Sequence, residues 1–298
     1  MFFAVCSLTL PRLSLQPKII DAILYNGEPS LQLRLELLGD VVDEFLVVEA
    51  ATTFSGLAKP FLYTDRHASV LEPYRHKLTV MIVDSFPEPP EDDLKRLLPR
   101  YWTSEDSVLS WFREQHQRDL IAPYVTDKYK DQPFVLLVCD ADEIPQPHVV
   151  QHMRRSPELY HTLETPTALQ MSMFFYNFKW LRDHPWMSAF AVNNRGLRAI
   201  HGQLSVTRQQ PIQYIPAAGW HLSYFTNAID IARKLKSFSH TEFSGDSYTD
   251  LAMVQKCLKE GCNMLMPGPD SMQGMICWKL QASYVCTSRL SRGASVPW

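Results

Sequence analysis

The chain has 298 residues and a formal net charge of −3, from 29 lysine and arginine residues against 32 aspartate and glutamate residues. This length is enough for one large domain or two small ones with a substantial core. Apolar residues make up 46% and charged residues 20% of the chain, which excludes intrinsic disorder. The nearly balanced charge excludes a strong overall field, so we expect no nucleic-acid partner.

Membrane and cysteine signals are weak. No apolar run approaches the ~18–20 residues that span a bilayer, so we expect no transmembrane segment in this sequence. The apolar opening, residues 1–10, lacks a basic flank and is followed by Pro11, which favours neither an anchor nor a complete signal peptide. Six cysteines without a C-x-x-C pair predict no structural zinc site and leave disulfide pairing open.

Apolar strand patterns alternate with helical patterns in the first half of the chain. Leu31, Leu35 and Leu38 mark one face of a helix that Gly39 is predicted to end. The alternation predicts an α/β fold with a mainly parallel sheet flanked by helices on both faces. The predicted strands are KIIDAILY (18–25), EFLVV (44–48), LTVMIV (78–83) and FVLLVC (134–139).

A longer helix is predicted before the fourth of these strands. Thr103 and Asp106 have the spacing of a capping box at its start. Glu114 and Arg118 are four residues apart on this helix, which predicts an exposed ion pair worth about 0.3–0.5 kcal/mol.

The second half of the chain has a different pattern. Short aromatic-rich runs begin near residue 166 and are typical of strands and loops. Two helices are predicted to follow. Asn227 caps the first, while Ser247 and Asp250 form a capping box for the second, which ends at Gly261.

Three carboxylates, Asp140, Asp142 and Glu143, directly follow the fourth predicted strand. Ligands of parallel α/β sheets bind at this carboxyl edge. A divalent cation relieves the repulsion among carboxylates, and hard oxygen ligands suit Mg²⁺ or Mn²⁺. A calcium EF-hand is excluded because Pro145 and Gln151 stand where that loop needs glycine and glutamate. A solvated acidic turn is the alternative that the spacing leaves open.

Five ordered motifs resemble glycosyltransferase family 17. The resemblance runs from about residue 18 to residue 265, and several ordered motifs are more specific than the acidic triplet alone. It implies a GT-A-like nucleotide-sugar-binding fold, UDP-N-acetylglucosamine as donor, Mn²⁺ (or Mg²⁺) as cofactor, a mannose-containing glycan or glycoprotein as acceptor, and inversion at the anomeric carbon. The motifs are LGDVVDEFLVVEAATTFSGLAKP (38–60), WFREQHQRD (111–119), VCDADEIP (138–145), FFYNFKW (174–180) and AAGWHLSYF (217–225).

The resemblance also bears on organisation and location. It implies one glycosyltransferase domain over residues 1–298, with a nucleotide-binding half at 18–145 and an acceptor-side half at 146–298. Animal members of the family begin with a membrane anchor and stem and act in the Golgi lumen. Because this sequence shows no such anchor, a Golgi and a cytoplasmic location both stay open.

Similarity to the acidic motifs of GT-A enzymes implies roles for the acidic turn. Asp142 is the first metal ligand, Asp140 faces the ribose or joins the metal shell, and Glu143 orients the turn or accepts from sugar hydroxyls. His221 is the best distant metal ligand, because imidazole is a common ligand and Gly219 allows close backbone approach. An ordinary polar histidine is the alternative reading of His221.

Three further residues are candidates for binding the donor. Glu49 ends the second predicted strand and so reaches the carboxyl edge, where it can accept from ribose or uracil. Lys234 matches the family pattern and can neutralise part of the diphosphate. Trp220 is expected to form a wall of the pocket, ahead of other aromatic residues such as Trp186, because its indole N–H needs a polar partner. Solvent-exposed charges are the alternative for Glu49 and Lys234.

Inverting displacement requires a base that removes the proton of the acceptor hydroxyl. The sequence does not single one out, and the candidates are Glu242 and then Asp246, because Asp250 has a simpler use as a helix cap. Two other functions remain open. A metal-dependent phosphoesterase acting on a nucleotide would use the same acidic turn, and a non-catalytic carbohydrate-binding module would not need it.

Overall fold

The computed structural model describes residues 16–59, 68–101, 104–210, 213–265 and 275–277. Within these ranges the strands form one ten-stranded sheet. In chain order they are β1 (Lys18–Tyr25), β2 (Glu44–Ala50), β3 (Leu78–Val83), β4 (Phe134–Asp140), β5 (Glu143–Pro145), β6 (Thr167–Phe175), β7 (Trp180–Arg182), β8 (Phe190–Asn193), β9 (Gln213–Ser223) and β10 (Met275–Cys277).

Helices connect and cover the strands. No helix in the described part of the chain is both long and apolar enough to cross a bilayer. Two 3₁₀ helices span Glu72–Lys77 and Thr241–Phe243. The α-helices are α1 (Ser30–Leu38), α2 (Ala68–Leu71), α3 (Glu91–Tyr101), α4 (Glu105–Asp119), α5 (Ile121–Lys128), α6 (Pro147–Arg155), α7 (Pro157–Thr162), α8 (Asn194–Ala199), α9 (Leu204–Thr207), α10 (Ala228–Ser237), α11 (Asp246–Thr249) and α12 (Leu251–Glu260).

The first four strands form the parallel part of the sheet, in the order β3, β2, β1, β4. The sheet has a core on each face. Ile19 and Ile23 of β1 belong to the cluster that includes Leu35 of α1, whereas Ile20 belongs to the opposite cluster with Ile121 of α5. Burial on both faces accounts for the almost wholly apolar strands. The α/β fold expected from the sequence is confirmed, and each of the four predicted strands is present.

The second half of the sheet is mixed. β8 pairs antiparallel with β4 and with β6, and β9 runs parallel to β6. The short strand β5 pairs antiparallel with β9 and sets Glu143 opposite His221. Gly219 makes this pairing possible, because a Cβ at that position would meet the carbonyl oxygen of Ile144. The acidic turn and the GWH segment therefore lie side by side.

Two of the predicted helix caps are wrong. Ser104 caps α4 by accepting from the Ser107 N–H, whereas Thr103 lies outside the described residues. Asp250 has extended backbone and caps α12 by accepting from the Met253 N–H, because Ser247 is already inside α11. The predicted Asn227 cap of α10 is confirmed, with its side chain accepting from the backbone of residue 230.

A third core cluster joins α10 and α12 to the end of β6. Gly261 ends α12 as predicted, in the left-handed conformation with φ of +79°. A disulfide links Cys257 and Cys262 on either side of it. The Trp180 ring lies so close that a Cβ on Gly261 would overlap it.

Gly261→Ala is expected to destabilise the protein by at least about 2 kcal/mol, from the left-handed conformation together with overpacking against Trp180. Gly245→Ala is the matched control, since no atom lies within 4 Å of a Cβ built there. Urea unfolding of both variants checks the expectation. Equal midpoints for the two variants would contradict it.

Candidate active site

The turn between β4 and β5 is held in place by Arg34. This arginine of α1 is fully buried and forms an ion pair with the equally buried Asp21 of β1. Its Nη1 also donates to the backbone carbonyl oxygens of Asp140, at 3.1 Å, and Glu143. The backbone of the acidic turn is thereby fixed to the parallel sheet.

Two more arginines bind the side chains of this turn. Arg118 Nη2 lies 3.0 Å from Asp140 Oδ1, and Arg208 bonds the other oxygen of Asp140. Arg208 Nη1 also lies 2.9 Å from Glu143 Oε2, which accepts the Asp140 backbone N–H at 2.7 Å. Trp186 donates its indole N–H to Glu143 Oε1. Burial acts to raise the pKa of the Asp140 carboxyl, but the two arginines outweigh it and lower the pKa.

Asp142 has different partners from its two acidic neighbours. Lys234 Nζ of α10 lies 2.7 Å from Asp142 Oδ2, and His221 Nε2 of β9 lies 3.6 Å from Oδ1. Burial acts to raise the pKa of the Asp142 carboxyl, but Lys234 and His221 outweigh it and hold the pKa well below its ordinary value. Burial likewise acts to lower the pKa of Lys234, but Asp142 and Glu28 outweigh it and raise the pKa. Both groups are therefore charged at neutral pH.

A cavity of about 700 Å³ opens at this edge of the sheet. Its volume is in the range of small-molecule sites. Asp140, Asp142, His221 and Lys234 all line it. Aromatic side chains form much of the remaining wall, and they include Phe54, Trp111, Phe175, Trp186, Tyr224, His240 and Phe243.

Other candidate residues lie outside the lining. Glu143 is completely buried beneath the turn. Glu49 is 1% exposed, and its carboxylate lies 3.5 Å from Lys59 Nζ, which also donates to the carbonyl oxygen of Tyr25. Glu49 therefore helps to tie the loop after β2 to the end of β1.

The expectation of Trp220 as the pocket wall is corrected by the geometry of β9. Successive side chains of a strand point to opposite faces, and His221 and Ser223 face the cavity. Trp220 is absent from the lining, and Trp186 takes that place. The Trp186 ring packs against His221 with the ring centroids 4.6 Å apart.

The two candidate bases have different connections with the cavity. The Glu242 carboxylate lies 2.7 Å from His240 Nδ1, and His240 lines the cavity. Asp246 is the exposed first residue of α11 and is not part of the lining. Glu242 reaches the cavity only through His240.

The expectation of an exposed Glu114–Arg118 pair is wrong. The Arg118 side chain is 2% exposed, and both residues line the cavity. Glu114 also accepts a hydrogen bond from Ser239. The i,i+4 spacing correctly predicts the pair. It carries no information on the segment around Ser239, which contacts Glu114 from elsewhere in the chain.

Arg34 and Arg208 were not recognised from the sequence. Arg34 had a signal, because a charged residue stands within the apolar face formed by Leu31, Leu35 and Leu38, and Asp21 interrupts an apolar strand. Arg208 had none, since it follows the four-residue helix α9 in a segment without a recognisable motif.

The residues present fit a divalent cation through two protein ligands. Asp142 Oδ1 and His221 Nε2 are close enough to share one ion, and a carboxylate oxygen suits Mg²⁺ or Mn²⁺. The described residues contain no group of three or more histidine, cysteine or acidic side chains arranged to hold a metal. Both Asp140 oxygens are bonded to arginines. The remaining coordination positions would have to come from substrate and water.

Comparison with known proteins identifies the family. The model of glycosyltransferase family 17 matches residues 4–278. The chain belongs to glycosyltransferase family 17. A β-1,4-mannosyl-glycoprotein 4-β-N-acetylglucosaminyltransferase from Rattus norvegicus is 28% identical over 275 residues, covering 82% of this chain and 48% of the relative. The protein of the same name from Mus musculus is 25% identical with the same coverage.

The chain spans about half the length of these two curated relatives. The human protein of that name is 28% identical over 165 residues, 55% of this chain and 28% of its own. A solved structure of a mannosyltransferase from Pyrobaculum calidifontis, in complex with GDP-Man and Mn²⁺, is also similar. It has a TM-score of 0.36 and 10% identity and covers 82% of this chain and 70% of that one.

Removing Arg208 tests the arginine arrangement. Arg208→Met leaves Glu143 buried with one cation fewer, and the free energy of unfolding is expected to fall by about 3–5 kcal/mol. Arg195→Met is the matched control, because Arg195 forms an exposed pair with Glu164 and its loss should change stability little. Urea unfolding measures both. A similar loss of stability in the two variants would contradict the role of Arg208 as the counter-ion of buried Glu143.

Proposed function

We propose that this chain transfers N-acetylglucosamine from UDP-N-acetylglucosamine to a mannose-containing glycan or glycoprotein, with inversion at the anomeric carbon and with Mn²⁺ or Mg²⁺ as cofactor. The observation that carries the proposal is the meeting of Asp142, His221 and Lys234 in one cavity at the carboxyl edge of the parallel strands. Membership of family 17 and the activity in the names of the relatives support the same donor and acceptor classes.

The proposed donor site uses the two kinds of charge in the cavity. Asp142 and His221 would hold the cation, which when bound supplies Lewis-acid stabilisation of the leaving diphosphate. Lys234 supplies a positive charge that can pair with the diphosphate from the side of α10. Asp140, held by Arg118 and Arg208, is proposed to accept from ribose or sugar hydroxyls with the part of its carboxylate that faces the cavity.

The nucleoside is proposed to lie over the ends of β1 and β2. Leu24, Glu28 and Phe54 line this part of the cavity. Glu49 does not line the cavity and would act on the donor indirectly, by pairing with Lys59 and so positioning the loop after β2. Trp186 would act by packing against the His221 ring and so orienting this proposed metal ligand.

The acceptor proton is proposed to leave through the His240–Glu242 pair. His240 faces the cavity and would take the proton on Nε2, while Glu242 holds the ring through Nδ1. Histidine is the most frequent general base, and a carboxylate on its other nitrogen stabilises the charged ring. Asp246 is the second candidate for this base.

A donor screen tests the proposal. The purified protein with Mn²⁺ is given a panel of nucleotide sugars together with mannose-containing glycan acceptors, and release of the nucleotide and the acceptor product are both measured. Turnover is expected with UDP-N-acetylglucosamine and is expected to be lost in EDTA. Another preferred donor, or undiminished turnover in EDTA, would overturn the corresponding part of the proposal.

Asp142→Asn is expected to abolish transfer while the protein stays folded, because it removes a ligand charge at the edge of the sheet. Asp131→Asn is the matched control, since it makes the same charge change at an exposed position before β4. Transfer rates and circular dichroism spectra of both variants give the answer. An active Asp142→Asn variant would place the metal elsewhere.

Glu242→Gln tests the proposed His240–Glu242 pair separately from the donor site. Transfer is expected to fall by the ~10²–10⁴-fold typical of general bases, with little change in donor affinity. His240→Gln should fall as far, since the two residues act as a pair. Asp246→Asn is the comparison variant. If it is the inactive one while Glu242→Gln transfers normally, Asp246 is the base, and if both are active the acceptor side is wrongly placed.

A further inference from the structure

Lys234 occupies the carboxylate that the proposed metal needs. Its Nζ lies 2.7 Å from Asp142 Oδ2, whereas the other oxygen of Asp142 is 3.6 Å from His221 Nε2. Asp142 is 5% exposed, so little water competes for it. Lys234 is thus an internal counter-ion for a buried carboxylate.

The position of Lys234 is held by contacts at the end of α10. The carbonyl oxygen of Ser237 accepts from Asn26 Nδ2 at 2.9 Å and from the Ser55 N–H at 3.3 Å. Ser55 Oγ also donates to the carbonyl oxygen of Lys236 at 2.8 Å. The helix is therefore attached to the loops that follow β1 and β2, and these attachments are made by Lys236 and Ser237 of its last turn rather than by the Lys234 side chain.

The side chain of Lys234 is less constrained than its helix. It is 25% exposed, it lies over the Tyr224 ring with Nζ 5.5 Å from the centroid, and it lines the cavity. A flexible four-carbon stem can carry the ammonium to another anion in the cavity without moving α10.

A divalent cation on Asp142 and an ammonium at the same carboxylate exclude each other. Two positive charges a few ångströms apart in a mostly buried site repel by several kcal/mol at an effective dielectric constant of about 20. Besides Asp142, Glu28 faces Lys234, but it is a weaker influence on it than Asp142. An anionic ligand that entered the cavity would offer the ammonium a partner of comparable charge.

We propose that Lys234 keeps Asp142 neutralised until a nucleotide diphosphate enters, and that the ammonium then moves to the diphosphate and leaves Asp142 to the divalent cation. This rests on the proposed function and goes beyond it by assigning a binding order. The metal alone binds weakly, and metal and nucleotide strengthen each other. By linkage, UDP raises the affinity for Mn²⁺ by the same factor as Mn²⁺ raises that for UDP.

Binding of Mn²⁺ to the full chain, without turnover, tests the proposal. The free ion is followed by electron paramagnetic resonance with and without UDP. Lys234→Met is expected to bind Mn²⁺ alone at least about tenfold more tightly than the parent, and to lose much of the mutual strengthening with UDP. Lys234→Arg keeps the charge and should bind Mn²⁺ alone weakly, like the parent.

Two controls separate the possible outcomes. Arg233→Met removes a neighbouring charge that is exposed and paired with Asp230. It should change neither the affinity for Mn²⁺ alone nor the factor by which UDP raises that affinity. Asp142→Asn should lose Mn²⁺ binding with and without UDP. Melting temperatures with and without Mn²⁺ provide a second readout, since the ion should stabilise Lys234→Met more than the parent.

Unchanged or weaker Mn²⁺ binding by Lys234→Met, with binding still dependent on Asp142, would overturn the counter-ion proposal and leave the proposed function standing. Absence of Mn²⁺ binding in all variants, even with UDP, would overturn both the counter-ion and the metal site. The donor screen would then decide the transferase activity on its own.

Discussion

The acidic turn depends on one buried guanidinium. Arg34 has no exposed surface, and it joins Asp21 of β1 to the carbonyl oxygens on both sides of the turn. Breaking such a buried pair costs about 3–5 kcal/mol, because the remaining charge has no solvent. Loss of Arg34 would release the backbone of Asp140 and Glu143 together. The geometry of the carboxylates of this turn therefore depends on a buried contact that does not itself line the cavity.

The three carboxylates of the turn have separate roles, although the sequence presents them as one acidic motif. Glu143 is enclosed by Arg208 and Trp186 and serves the structure. Asp140 is held by arginines yet still faces the cavity, which suits a hydroxyl acceptor better than a metal ligand. Asp142 alone has a lysine and a histidine as partners. Arginine remains charged and binds in a fixed fork, whereas lysine is a point charge on a flexible stem, so only the Asp142 pair is suited to exchange.

The sequence predicts well whatever depends on neighbouring residues. The parallel strands, the Asn227 cap and the Gly261 stop follow from apolar runs and local backbone chemistry. Contacts made across the fold were out of reach. Arg118 was predicted to be exposed because the helix pattern says nothing of the segment that packs over it. Trp220 was predicted to line the pocket from its indole N–H, but the register of β9 turns His221 to the cavity instead, and Trp186 lines it. Local rules fix the elements, and tertiary packing decides which of their polar residues meet.

The cavity is assembled from segments that are far apart in sequence and close in space. Asn26 follows β1, Ser55 follows β2, and both bond the end of α10, more than 180 residues later in the chain. Gly219 brings β9 against β5 and so places His221 opposite Glu143. The parallel half thus supplies the carboxylates of the acidic turn, while the mixed half and α10 supply the histidine and the lysine. A ligand that binds between them contacts both halves, and its binding energy is available to hold them together in the geometry that the reaction requires.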